Sequence, residues 1–281
     1  MNSGLSKLAL HGIGEVPLLS YTAFTSATRI SIHRSHFARS FSHLLTADTQ
    51  IPNVHLHQVS MIQFLDAPIC FGAMKYHRDV FEETQEFNQT EESIVVDDCM
   101  FLECIGNHSA IYMHVEEASR SLTITNSGFV SCLCFTSNVV DFDGEAFYCM
   151  RTCASNCFAF YGNQFSKSCV EEYEPNHMNE TTMERCSNAR RKGNRQVVFL
   201  YRGEVIYNNN NVTNCFVDEH KVAGAFGPAE GLVYIYNNNY NCSGRSMLGF
   251  DAHKCEVIHI SDSVMYRMKR TTVRTYYGFF V

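Results

Sequence analysis

Tryptophan is absent from the 281 residues, proline occurs five times, and no cysteine stands before Cys70. No run approaches the roughly 18 uninterrupted apolar residues that a membrane-spanning helix needs. Helical periodicity is not sustained over any long stretch, so a helical bundle does not describe the chain. Cations are few: 22 Lys and Arg stand against 29 Asp and Glu, a net charge of −7. That balance argues against a generic nucleic-acid binder, which needs a basic stripe to neutralise phosphates. The one basic run, Arg190-Arg-Lys192 with Arg195, follows Glu171, Glu172, Glu174, Glu180 and Glu184 and reads as a self-pairing or solvated loop. A Gly-rich phosphate loop and a nucleophile elbow are both missing. The start of the chain is interrupted by His11 and Glu15, so no convincing secretion signal is visible, and the last residues, Tyr276–Val281, read as an open strand.

What the chain does have is a phrase of eleven residues that returns seven times. Positions one, three and eight are apolar, four and five are polar, six is small, and eleven is often cysteine. Ile94-Val-Val-Asp-Asp-Cys99-Met-Phe101-Leu-Glu-Cys104 and Leu122-Thr-Ile-Thr-Asn-Ser127-Gly-Phe129-Val-Ser-Cys132 are clear copies, as is the one from Val205 to Cys215. Looser copies start at Ile30, Val54, Val233 and Ile258, and a degenerate one at Ala146 places Arg151, Cys153 and Asn156 in register. Most intervals are 24 to 28 residues, the length of one solenoid turn. The apolar-any-apolar opening has the period of a strand with one face inward, and the polar pair turns the chain. The reading is all-β: a single right-handed parallel β-helix over 1–281, of about nine or ten turns. Residues 1–28 are expected to cap it, and 75–92 and 165–196 to bulge as inserted loops, the second being the expected contact site. Asn208–Asn211 and Asn237–Asn239 fall at the same place in the repeat, where Asn side chains can stack at a bend.

The unit Ile-x-Val-x-x-Cys-x-Phe-x-x-Cys, followed by an apolar strand such as Ala110-Ile-Tyr-Met-His-Val115, resembles the polymorphic right-handed β-helix repeats. These occur in surface-protein families of parasitic protists (the trichomonad type) and in polymorphic outer-membrane proteins of bacteria. The resemblance spans residues 28 to 281, with His108-Ser-Ala-Ile111 where those families carry Gly-Gly-Ala-Ile. It implies display or adhesion, with no active site to carry over and no cofactor.

Right-handed β-helices also include pectate lyases and polygalacturonases, which cluster carboxylates across neighbouring turns. The candidates for such a carbohydrate-active site are Asp97, Asp98, Asp141 and Asp143. Asp141 and Asp143 share one strand face by their spacing of two, but the equivalent places one copy earlier hold Met113 and Val115. Neighbours of Asp97-Asp98 are His57-Gln58 and Thr125-Asn126, so no second carboxylate stacks there. Cys149, Cys153 and Cys157, with Cys169, Cys186 and His177, have a spacing that zinc permits, against disulfides or a thiol ladder as the other readings. Cys104, Cys132, Cys215 and Cys242 recur at one repeat position, which predicts vertical stacking as buried thiols or as disulfides. His33, His55 and His57 read as outward-facing surface histidines.

Thirteen cysteines and five Asn-x-Ser/Thr sequons, at Asn88, Asn107, Asn179, Asn211 and Asn241, favour the secretory route. The sequence therefore predicts a non-enzymatic extracellular or cell-surface rod. Its expected partners are a host or neighbouring-cell surface protein or glycan, or another copy stacked on the C-terminal edge. Nucleic acid and a membrane span are not expected.

Overall fold

The computed structural model describes residues 2–12, 17, 19–20, 29–47, 53–72, 92–107, 110–114, 120–134, 139–159, 165–169, 174–188, 197–217, 221–227, 231–243, 246–251, 257–266 and 273–276. Among them every regular element is a strand, and every pairing of strands is parallel and nearly always in register. The strands form an 18-stranded, a 10-stranded and a 4-stranded sheet, each ordered along one axis. The chain is a parallel β-helix: one strand per coil enters the 10-stranded sheet, which counts ten rungs.

The repeat phrase is the part of each coil in the largest sheet. Ile30, Val54, Ile94, Leu122, Phe147, Asn176, Val205, Leu232 and Ile258 occupy its first position in successive rungs. Positions one, three and eight point inward, as in Ile94, Val96 and Phe101, all buried. Large side chains then stack from rung to rung. Phe101 lies flat on Phe129 at 4.7 Å between ring centroids, and Tyr207 on Tyr234 at 5.3 Å.

Two bends give the phrase its shape. Position five has a positive φ on every rung from Lys7 (58°) through Asp98 (51°) and Asn126 (51°) to Asp262 (48°). Position ten repeats this at Arg39, Gln63, Glu103, Ser131, Asn156, Arg185, Asn214 and Asn241. Left-handed backbone costs a side-chain-bearing residue about 1 kcal/mol or more. Here the strain is offset because the bent N–H finds a carbonyl on the next rung: Asp98 donates to Thr125 at 3.1 Å and Glu180 to Asn208 at 3.0 Å.

Several expectations are corrected. Of residues 165–196, expected to bulge, 170–173 and 189–196 lie outside the described residues; the rest hold the strands Phe165–Cys169, Pro175–Asn179 and Thr182–Glu184, paired on both sides with neighbouring rungs, and Ser187–Asn188, paired with Phe158–Ala159. This rung was hidden because Asn176 stands where an apolar residue opens the other copies, yet Asn176 is buried and its Nδ2 donates to the Arg202 carbonyl. The copy expected from Ala146 starts at Phe147, and the one expected from Val233 starts at Leu232. In both stretches consecutive residues are apolar, so alternation alone fits two registers. The column of cysteines selects one, with Cys157 and Cys242 at position eleven. Within 1–28, Asn2–Ser6 and Ala9–His11 pair in parallel with Arg29–Ser40, so these residues form a rung of the coil itself. Of the segment 75–92 only Glu92 is described; Arg190, Lys192, Arg195 and 277–281 also lie outside the described residues.

Candidate functional site

Asp97 sits at position four, facing outward, and ties three rungs together. Thr125 Oγ1 donates to its Oδ1 at 2.6 Å, Asn126 Nδ2 to the same oxygen at 2.8 Å, and His57 Nδ1 lies 2.9 Å from Oδ2. The bond from Thr125, then those from Asn126 and His57, hold the carboxyl below its usual range even though burial works the other way. A carboxylate fixed in its anionic form by three partners is a poor general acid and an occupied base. Its neighbour Asp98 is at the bend and exposed.

Asp141 and Asp143 do share an outward face, on the strand Val140–Gly144 of the 10-stranded sheet. They are therefore on a different sheet from Asp97. Their cross-rung partners are Tyr112 and His114, one residue earlier than the expected Met113 and Val115, which corrects the register. His114 Nε2 is 3.5 Å from Asp141 Oδ2 and its ring stacks on Tyr112 at 4.7 Å. Burial disfavours the imidazolium, but Asp141 and then Asp143 outweigh it and hold His114 above its usual pKa. The four aspartates thus form two separate structural contacts, and the structure does not gather them into one constellation.

The zinc candidates whose side chains are described are not gathered either; the side chain of Cys169 lies outside them. Cys149 and Cys157 point inward at positions three and eleven, Cys153 is exposed at position seven, and His177 is on the outer face. A strand-bend-strand path sends every fourth residue to a different side. Among the described residues no three His, Cys, Asp or Glu side chains are grouped to hold a metal ion.

Position eleven instead gives an unbroken column of six buried thiols: Cys104, Cys132, Cys157, Cys186, Cys215 and Cys242. Four of them were legible as a recurring position; Cys157 and Cys186 were obscured by the misread registers. Each Sγ–H points at a carbonyl two residues back and at one on the preceding rung, as Cys215 does to Thr213 at 3.3 Å and Met183 at 3.6 Å. Burial, with Cys132 alongside, raises the Cys104 thiol well above its ordinary value. From Cys99 onward, position six is a second column of Cys, Ser, Thr and Asn. There Asn210 Oδ1 accepts the Thr181 N–H at 2.9 Å and Asn237 Oδ1 accepts the Asn210 N–H at 2.9 Å.

Of the sequons, Asn107 and Asn241 are exposed, Asn179 and Asn211 are half-buried in strands, and Asn88 lies outside the described residues.

One feature of the outer surface was not anticipated. The residue after position eleven is apolar on rung after rung: Phe41 (63% exposed), Leu65 (50%), Ile105 (41%), Leu133, Phe158 and Phe216 (37%). Ile105, Leu133 and Phe158 are direct partners in the 4-stranded sheet, so five rungs in succession carry a large apolar side chain on one outward line. The signal was present as the residue following each terminal position of the phrase, outside its eleven letters.

Comparison with family models, with curated proteins and with solved structures finds no match to this chain. The architecture itself is plain from the strand pairing. Among the described residues no helix is long and apolar enough to cross a membrane.

Proposed function

We propose that this chain is a non-enzymatic β-helix rod acting in display, adhesion or interaction at a cell surface or outside the cell. The observation that supports this is the outward apolar line from Phe41 to Phe158. Soluble monomers seldom leave contiguous apolar patches of more than a few hundred Å² uncovered, and larger ones mark contact surfaces. The rod holds that line at a repeat of about 4.8 Å without using it for its own core. Inner columns of thiols, hydroxyls and amides supply stability between neighbours, which leaves outer positions free to vary. The resemblance to polymorphic right-handed repeats of protist and bacterial surface proteins belongs to the same proposal, as do the partners, a surface protein or glycan of a host or neighbouring cell.

Two measurements test it. Protease added to intact source cells removes the protein, and enzymatic N-glycan removal shifts its mobility; a protein untouched by both contradicts the surface location. Beads coated with the purified chain attach to cells, and Leu65→Asp with Ile105→Asp reduces attachment. Undiminished attachment by that variant overturns the role of the apolar line.

A further inference from the structure

The stacking of rungs widens a basic strand into a basic face. Residues 1–65 contain Lys7, Arg29, Arg34 and Arg39 and six histidines against only Glu15 and Asp48, in a chain of net charge −7. The strand Arg29–Ser40 continues for 12 residues around the bends at Arg34 and Arg39. It turns Ile30, Ile32, Ser35, Phe37 and Ser40 inward and Arg29, His33, Arg34, His36 and Arg39 to the outer side. The rung before it adds Lys7 and His11, and the rung after it adds His55 and His57.

These groups are close. The His33 ring centroid is 5.4 Å from that of His55 and 6.1 Å from that of His57, and His11 is 5.2 Å from His36. Arg34 Nε donates to Gln58 Oε1 at 3.2 Å, and His36 Nδ1 is 2.6 Å from Ser60 Oγ. Arg29 and His55, with Asn53 and Ser93, line a shallow hollow. Among the described residues no carboxylate pairs with Lys7, Arg29, Arg34 or Arg39, and the face meets its acidic boundary at Asp97, Asp98 and Glu103, the last accepting from Gln63 Nε2 at 2.9 Å.

We propose that this face binds a linear anionic polysaccharide lying along the strand Arg29–Ser40, with the arginines on its sulfate or carboxylate groups and the histidines adding charge as pH falls. Arginine forks match such oxyanions in pairs of hydrogen bonds. A row of cations that follows the rung from Arg29 to Arg39 suits a chain of several sugars, whose hydroxyls find Ser31, Asn53, Gln58 and Ser60 beside the charges. Nucleic acid fits less well. A single strand needs aromatic platforms for its bases, and the outward residues of this strand include no Phe or Tyr; a duplex needs an element that enters its groove. The groups facing the histidines are Lys7 and His11 from one side, Arg29 and Arg34 on the strand itself, and His55, His57 and, through His57, Asp97 from the other. Burial, with His33, Arg29 and His57 alongside, holds His55 below its ordinary value.

This inference rests on the reading of the chain as a binding rod, but it uses a different face from the apolar line. The test is retention of the full chain on immobilised dextran sulfate and polygalacturonate, eluted with salt at pH 7.5 and pH 5.5. Retention is expected on at least one resin, sulfate or carboxylate being distinguished by which one, and with later elution at pH 5.5. The variant Arg29→Gln, Arg34→Gln, Arg39→Gln should bind about tenfold more weakly or worse with an unchanged melting temperature. His33→Gln, His55→Gln, His57→Gln should keep binding at pH 7.5 and lose the gain on acidification. Passage of the native chain through both resins at both pH values overturns the proposal. So does an arginine variant that elutes with the native chain, or equal retention of single-stranded DNA or of phosphatidylserine vesicles. If these results come while Leu65→Asp with Ile105→Asp still reduces cell attachment, the polysaccharide site fails and the binding rod stands.

Discussion

The backbone N–H of Asn210 donates to the side-chain Oδ1 of Asn237, 27 residues later and one rung further on, at 2.9 Å in the buried interior. The same amide's Nδ2 donates to the Tyr207 carbonyl at 2.9 Å, so one side chain satisfies two backbone groups freed by the bend. An asparagine here replaces the strand pairing that the left-handed residue before it interrupts.

Removing that side chain strands a buried donor and acceptor. Asn237→Ala should destabilise the chain by about 2–3 kcal/mol, the cost of unsatisfied buried polar groups. Asn238→Ala, one place along on the outside, should cost under about 0.5 kcal/mol. Urea unfolding of the two variants compares them directly.

The thiol column predicts a reactivity pattern. Cys153 is exposed, whereas the six thiols of the column are buried and Cys99 is pushed up to about 12 by burial. Alkylation of the native protein at pH 8 should modify Cys153 and spare Cys104, Cys132, Cys157, Cys186, Cys215 and Cys242 until the chain is unfolded. Mass-spectrometric mapping reads the result; rapid native modification of the column contradicts its burial.

Asp97 predicts a pH dependence. Its carboxyl is depressed in the folded chain by Thr125, Asn126 and His57. The stabilisation it brings is therefore present above the unfolded aspartate value near 4 and is lost as pH falls through the lower folded value. Asp97→Asn should cost about 1 kcal/mol at pH 7, the site being partly exposed, and little at pH 2.5. Equal losses at both pH values would show that the contact is not ionic.

A glycine supports the same register. Gly72 has φ +99° and a Cβ there would lie 1.9 Å from the His114 carbonyl oxygen, on the next rung. Gly72→Ala should lower stability by more than about 1 kcal/mol, measured by thermal melting, because backbone cannot move aside.

The β-helix was legible because its inward positions repeat at one period: Ile94, Val96 and Phe101 return as Leu122, Ile124 and Phe129. The rung from Asn176 to Cys186 was not, since Asn176 and Thr181 hold inward places that their polarity disguises. Their hydrogen bonds to neighbouring rungs exist only once the coil is stacked. The bends were read as a polar pair, yet Lys7, Arg151 and Tyr236 occupy left-handed positions that local preference gives to Gly or Asn. Cross-rung bonds override that preference. The basic face and the apolar line escaped for a simpler reason. The members of the apolar line lie a full turn apart in sequence, and Lys7, His11, His55 and His57 join the basic strand Arg29–Ser40 only on stacking.

The central claim is that residues one coil apart lie one strand spacing apart along a single axis. Spin labels at Gln58 and at Asn126, Asn209 or Asp262, all exposed at position five, measure it. These sites are two, five and seven rungs away, so pulsed dipolar distances should centre near 10, 24 and 34 Å, rising by about 4.8 Å per rung, apart from label length. Distances that do not increase in that order would contradict the stacked coil.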